Sequence, residues 1–215
     1  LALVDEAVIS PADTAAGTAY IAGTLGVRTS LASLVGRDAV GRSVRMLLQE
    51  RGVDTQLLAE DPALPTSTTL ILVRPSGERS RFHAMGASRV MTRSNELEEA
   101  VGNARFVHYA AIGAVNMDGG PGRELLIAAR NAGATITCDL ISPGAGAVAE
   151  LARLLPYVDY FMPNATEAIG LSATSRLEEA AQYFMAMGVR GCVFKDGVNG
   201  SLLVTSTAVK RIPAH

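Results

Sequence analysis

The chain has 215 residues, of which 48% are hydrophobic and 19% charged, with a formal net charge of −2. That length can bury one α/β core with a small appendage, and the composition excludes a disordered chain. The near-neutral charge leaves no electrostatic footprint for nucleic acid, and no apolar run approaches a membrane span in length. Cys138 and Cys192 lie in apolar runs and read as small core residues, not as a disulfide or a metal site. No leader-like stretch precedes the fold, so a reducing cytoplasm is the expected compartment. The only lysines are Lys195 and Lys210.

In chain order, Leu1 to Ser10 is short, apolar and β-like. A helix rich in small residues follows Pro11 and stops at Gly26; small side chains let a backbone approach a ligand or, more commonly, another helix. Val27 to Val35 reads as a strand. A turn at Gly36 to Gly41 then leads into a helix whose apolar face is Val40, Val44, Leu47 and Leu48, closed by Gly52. Thr69 to Arg74 and Arg79 to Ala84, joined by Pro75-Ser76-Gly77-Glu78, read as a β-hairpin. Beyond it come a helix (Arg93 to Gly102), a strand (Arg105 to Ala110) and a helix (Arg123 to Asn131). A strand (Ala134 to Leu140), a helix (Gly146 to Leu155) and a strand (Tyr157 to Met162) continue the pattern. Ser175-Arg176-Leu177-Glu178 reads as a capping box before a helix with Leu177, Ala180, Ala181 and Phe184 on its buried stripe. Val189 to Lys195 and Ser201 to Thr205 are the last strands. The regular alternation after Arg105 predicts a mostly parallel, doubly wound sheet flanked by helices. The hairpin interrupts it as a small β appendage.

Chemistry concentrates at two places. Pro163 cannot donate to a sheet ladder, so the strand before it must stop. Asn164 and Glu167 follow at a spacing that puts both on one side of a first helical turn. Two readings fit: an N-cap Asn with a first-turn Glu, or an amide and a carboxylate that hold a hydrated Mg²⁺ beside phosphates at the C-terminal strand edge. Lys195-Asp196-Gly197-Val198-Asn199-Gly200 ends an apolar strand. It reads either as an anion site of backbone N–H groups and an ammonium or as a hairpin turn. No Gly-Lys-Ser/Thr triplet, His-Glu-x-x-His, Cys-x-x-Cys or Gly-x-Ser-x-Gly occurs. His83 in the hairpin and His108 in a strand read as structural. Gly144-Ala145-Gly146-Ala147-Val148-Ala149 matches a dinucleotide fingerprint. It lies far from the first βα unit, directly after Pro143, with no acidic residue ending the next strand.

Taken in order, the pieces resemble the ribokinase-like (PfkB-type) carbohydrate kinases over nearly the whole chain. The fragments are Thr14 to Ala19 with Leu25-Gly26, Gly36-x-Asp38-x-x-Gly41, Gly52 to Thr55, Pro65-Thr66, Gly77-Glu78, Pro163-Asn164-x-x-Glu167 and Phe194-Lys195-x-Gly197-x-x-Gly200. The resemblance implies a ribokinase-like α/β domain with a small β lid, its strands within about 1–12 and 66–86. It implies transfer of the γ-phosphoryl group of ATP to a hydroxymethyl of a sugar or nucleoside, with Mg²⁺ and a monovalent cation. By the same carry-over, Lys195, Gly197, Gly200 and Asn164 would bind ATP. Glu167 and Asp139 would organise the metal, and Asp13, Gly17, Arg81 and His83 would bind the acceptor beneath the lid. Lid closure would exclude water, and paired lids could make a homodimer; no nucleic acid or membrane partner is implied.

Three departures accompany the resemblance. The family's Gly-Gly before the early helix reads Ala12-Asp13 if Gly17 takes the place of a sugar-binding Asn; alternatively Asp13 takes that place. The family's first strand has no recognisable counterpart, and neither has its C-terminal Gly-Ala-Gly-Asp segment with the catalytic base, so no catalytic residue is assigned. The chain therefore reads as a single domain, 1–215, of a longer kinase. A non-catalytic sugar- or nucleotide-binding relative and a nucleotide-cofactor oxidoreductase using Gly144 to Ala149 are the rival readings.

Overall fold

The computed structural model describes residues 5–214. The chain forms two compact units, Leu1–Ser88 and Arg89–His215. No strand occurs at residues 5–12, so the β-like reading of Leu1 to Ser10 fails there; Leu1 to Val4 lie outside the described residues.

In the first unit, a π-helical turn at Asp13–Gly17 leads into α1 (Thr18–Thr24), followed by β1 (Ser33–Gly36), α2 (Ala39–Gln49) and β2 (Leu58–Asp61). β1 and β2 pair in parallel. The strand expected over Val27 to Val35 is thus shorter and later, and β2 was not anticipated. Its Leu-Ala-Glu-Asp sequence is largely exposed and carries no alternating apolar signal. Leu31, Val35, Leu48, Val53 and Leu58 form the core with Ala19, and Ala15, Ala16, Tyr20 and Val44 pack against it. Two of the sequence fragments, Gly36-x-Asp38-x-x-Gly41 and Pro65-Thr66, meet here in one lock. Asp38 caps α2 by accepting from the Gly41 N–H at 2.7 Å. Its carboxylate also accepts from the Thr66 N–H and hydroxyl, each at 2.8 Å. Gly36 donates its N–H to the Thr66 hydroxyl at 2.9 Å. A Cβ on Gly36 would sit 2.5 Å from the Thr66 nitrogen, so only glycine admits this approach. The hairpin follows as β3 (Thr68–Val73) and β4 (Arg79–Ala84), antiparallel as expected.

The second unit holds α3 (Asn95–Gly102), β5 (Phe106–Tyr109), α4 (Gly120–Asn131), β6 (Thr135–Cys138), α5 (Ala147–Leu154) and β7 (Tyr160–Phe161). It continues through α6 (Ala165–Ser172), α7 (Leu177–Ala186), β8 (Gly191–Lys195), β9 (Ser201–Thr205) and β10 (Val209–Ile212). The six strands form one sheet in the order β10-β9-β8-β7-β6-β5. β5 to β8 are parallel, and β9 and β10 extend the sheet antiparallel. The order does not reverse within this sheet. Ile136, Cys138, Phe161, Cys192 and Phe194 are fully buried strand residues, and Leu126, Leu151, Ala168, Ala181 and Phe184 are fully buried helix residues. Phe161 and Phe184 meet edge to face with ring centroids 4.8 Å apart, a favoured aromatic geometry. Both cysteines are free and buried as expected; burial pushes the Cys192 thiol up to about 12. The Ser175 capping box does not form. Arg176 occupies the N-cap of α7 without a side-chain bond, because the chain enters the helix one residue later than the motif requires.

The Asp38 lock has a pH signature. Backbone N–H groups of Thr66 and Gly41, with the Thr66 hydroxyl, hold the Asp38 carboxyl below its ordinary value. A depressed folded-state pKa gives stability that is complete above the ordinary carboxylate range and is lost as pH falls through the folded value. Asp38→Asn is expected to cost roughly 1–3 kcal/mol at neutral pH, as for hydrogen bonds to a charged group. The gap from the unaltered protein should narrow below about pH 4. Denaturant unfolding at a series of pH values checks this; a pH-independent gap would contradict it.

Candidate functional site

The parallel order of β6, β7 and β8 delivers three loop starts to one sheet edge. The edge is fixed by backbone first. Pro163 ends the strand and is buried, its carbonyl accepting the Lys195 N–H at 3.2 Å, and Asn164 forms an isolated parallel bridge with Lys195. Asn164 then caps α6: its Oδ1 accepts the Glu167 N–H at 2.8 Å. Glu167 returns the bond, its Oε2 accepting the Asn164 N–H at 3.1 Å. The capping-box reading of this stretch is therefore realised in full. It does not use up the glutamate. Glu167 Oε1 accepts the Ser142 N–H at 3.2 Å from the loop after β6. Ser142 is held at φ +48° directly before Pro143, a conformation that L-residues rarely adopt.

Asp139 stands one residue beyond β6. Its Oδ1 accepts the Leu140 N–H at 2.8 Å, and its Oδ2 forms an ion pair with the Lys195 ammonium. The turn after Lys195 is a hairpin between β8 and β9, with a 3-10 turn at Gly197–Asn199. The Asp196 N–H donates to the Gly200 carbonyl at 2.8 Å, and Arg211 of β10 pairs with the Asp196 carboxylate at 2.9 Å. Gly200 has φ +82°, and a Cβ there would lie 1.9 Å from the Ile212 carbonyl oxygen.

Six of the expected residues therefore gather in the second unit: Asp139, Asn164, Glu167 and Lys195 at the edge, with Gly197 and Gly200 in the adjoining turn. The other four lie in the first unit. Asp13 has φ +74° and accepts the Thr14 N–H at 2.7 Å. Gly17 closes the π-helical turn, donating to the Ala12 carbonyl at 3.1 Å. Arg81 and His83 are two residues apart on β4 and share one face of the hairpin, opposite Ile71 and Thr69. His83 Nδ1 is 2.8 Å from the Thr69 hydroxyl. Gly144 and Gly146 have neither a positive φ nor any atom within 4 Å of a built Cβ. The protein's own backbone and packing therefore do not demand glycine at either position.

Sequence reasoning missed Ser142 and Glu150. Glu150 is buried in the first turn of α5, where its Oε2 accepts the Gly113 N–H at 3.0 Å and ties down the loop after β5. Burial pushes its carboxyl up. The Ser-Pro pair offered a weak signal for Ser142; a lone Glu in a helix offered none.

Among the described residues, no group of three or more His, Cys, Asp or Glu side chains could hold a metal ion. The edge is thus no all-protein cage. Mg²⁺ needs no such cage: it keeps several waters and takes one or two carboxylates beside substrate phosphates.

The mostly parallel sheet flanked by helices places the chain in the α/β class, with two carboxylates, an amide and an ammonium at one C-terminal strand edge. Within that class, the chain belongs to the pfkB family of carbohydrate kinases, whose profile matches residues 4–215. It is 33% identical over 98 residues to a nucleoside kinase of Methanothermobacter thermautotrophicus, covering 45% of this chain and 31% of that protein. It is 24% identical over 214 residues to the aminoimidazole riboside kinase of Salmonella typhimurium, covering 95% of this chain and 66% of that one. The chain therefore spans less than two thirds of the length of either relative. An Escherichia coli protein assigned as ribokinase II, solved with ATP and Mg²⁺, superposes with a TM-score of 0.79 at 19% identity, covering 100% of this chain and 72% of that one. That likeness establishes a shared ribokinase-like fold.

The closeness of β10 to Gly200 can be tested. Gly200→Ala is expected to destabilise the protein by roughly 1–3 kcal/mol through overpacking and a strained φ, read as a lower melting temperature. An unchanged transition would mean that the turn and β10 are not in contact in solution.

Proposed function

We propose that this chain carries the nucleotide- and acceptor-binding residues of an ATP-dependent kinase. The kinase transfers the γ-phosphoryl group to a hydroxymethyl of a sugar or nucleoside. The observation that carries the reading is the meeting of Asp139, Asn164, Glu167 and Lys195 at the ends of three adjacent strands in a pfkB-family chain. Lys195 supplies an ammonium for phosphate oxygens, and the Gly197 turn supplies backbone close to it. Glu167, fixed by its own helix and by Ser142, presents a carboxylate whose remaining lone pairs would help hold a hydrated Mg²⁺. When bound, that ion neutralises charge on the phosphate oxygens. Phosphoryl transfer asks mainly for positioning and charge neutralisation, and this edge supplies both. The riboside and nucleoside kinases among its relatives favour a ribose-bearing acceptor.

The acceptor side of the proposal rests on the first unit. The positive φ of Asp13 favours the register in which Ala12-Asp13 replaces the family's Gly-Gly pair and Gly17 stands at the Asn position. Arg81 and His83 share one hairpin face as acceptor-binding residues. On the other face Leu70, Leu72 and Phe82 are 57%, 45% and 60% exposed. A free two-stranded hairpin is marginal in water, and this apolar face is where a second copy would pack. Phe82→Asp should then shift the protein from dimer to monomer in sedimentation analysis. A dimer that persists would count against the hairpin as its contact.

Glutamate and glutamine both serve at the third position of a capping box, so Glu167→Gln can keep the cap while removing the negative charge and one of the two acceptor oxygens. The intact protein should bind ATP saturably with Mg²⁺ in calorimetry. Glu167→Gln keeps one acceptor oxygen and turns an NH2 toward the other backbone N–H, so it should lower the melting temperature modestly while weakening Mg²⁺-dependent binding by about tenfold, or 1.4 kcal/mol. Equal affinity would leave Glu167 as a cap only and overturn its metal role. A panel of sugars and nucleosides assayed with the full-length protein identifies the acceptor.

A further inference from the structure

The Lys195 ammonium is already paired, with the Asp139 carboxylate. Lys195 ends β8, whereas Asp139 follows β6, and β7 lies between those strands, so the ion pair spans the end of β7. The two partners are unequally placed: the Asp139 side chain is 9% exposed and that of Lys195 49%. A carboxylate that buried depends on its partners, and one Asp139 oxygen is already committed to the Leu140 N–H. The lysine, half in water, can leave. Asp196 beside it is paired with Arg211, so the charges that decide the edge are Asp139, Glu167 and Lys195, two negative and one positive. A bare polyphosphate therefore approaches a net negative edge whose one ammonium is already occupied.

We infer that Asp139 is the resident counter-ion and positioning residue of Lys195, and that phosphates gain the lysine only by displacing this carboxylate. Nucleotide capture is then an exchange of one anion for another. Its dependence on a divalent cation arises partly from the repulsion Asp139 adds. The inference rests on the nucleotide reading above and assigns Asp139 a different task from the metal ligation expected of it.

Calorimetry on the full chain, with ATP in Mg²⁺ and with ATP in excess chelator, tests this. Asp139→Asn should bind metal-free ATP about tenfold more tightly than the unaltered protein, a shift of 1.4 kcal/mol, so that the Mg²⁺ dependence shrinks. Asp139→Asn/Lys195→Met should abolish that gain. A purely structural Asp139 would weaken both conditions alike, and unchanged or weaker metal-free binding overturns the inference. If Asp139→Asn does not fold, the Asp139 side-chain carboxyl carbon of the unaltered protein serves instead. Its resonance should move on saturation with ATP, and a resonance that stays put overturns the exchange. Failure of the unaltered protein to bind Mg²⁺·ATP overturns the nucleotide reading itself and this inference with it. Normal binding together with an unresponsive Asp139→Asn defeats this inference alone.

Discussion

Glu167 holds two stretches of backbone with one carboxylate. One oxygen closes the first turn of α6 onto Asn164, and the other reaches the Ser142 N–H in the loop after β6. Those loops follow neighbouring strands, so neither can shift without breaking a charge-assisted bond. The Pro163 carbonyl bonded to the Lys195 N–H extends the tie to β8. Three strand ends are thus fixed before any ligand arrives. The proposed binding of phosphate would draw on that preorganisation, because positions need not be found at the moment of binding.

The same economy appears in the first unit. Gly36, Asp38 and Gly41 lie in one short stretch of sequence and Thr66 in another, yet one carboxylate and one hydroxyl satisfy donors from both. The lock joins the end of β1, the start of α2 and the approach to β3. It is built from capping chemistry rather than apolar packing, which suits a unit whose hairpin is exposed along both strands. The second unit has buried layers of aromatic and aliphatic side chains, where the first has a smaller aliphatic core.

Much of the fold was legible because periodicity is local. The helices from Ala39, Gly120, Ala147 and Leu177 and the strands around Thr135, Gly191 and Ser201 fall where apolar spacing put them. The misses have physical reasons. β2 and β10 are exposed edge strands without an apolar face. The strand before Pro163 shrinks to Tyr160–Phe161 because Leu155–Tyr157 coil as a 3-10 turn after α5. At Ser175 a capping motif was present but the chain geometry did not use it. Among the candidate site residues, Asn164, Glu167 and Lys195 stood out through strand-end and turn chemistry and Asp139 through the family resemblance. Ser142 and Glu150 did not, because they matter through the distant residues they touch.

The sequence alone determined which groups stand at the strand ends: proline stops a ladder, asparagine and glutamate three apart cap a helix, and a lysine ends an apolar run. These follow from backbone rules that operate within a few residues. Only the tertiary structure decided which ends are neighbours, and hence that Lys195 meets Asp139 and that Glu167 meets Ser142. Strand order is set by how buried layers pack across the whole sheet, and no local spacing encodes it.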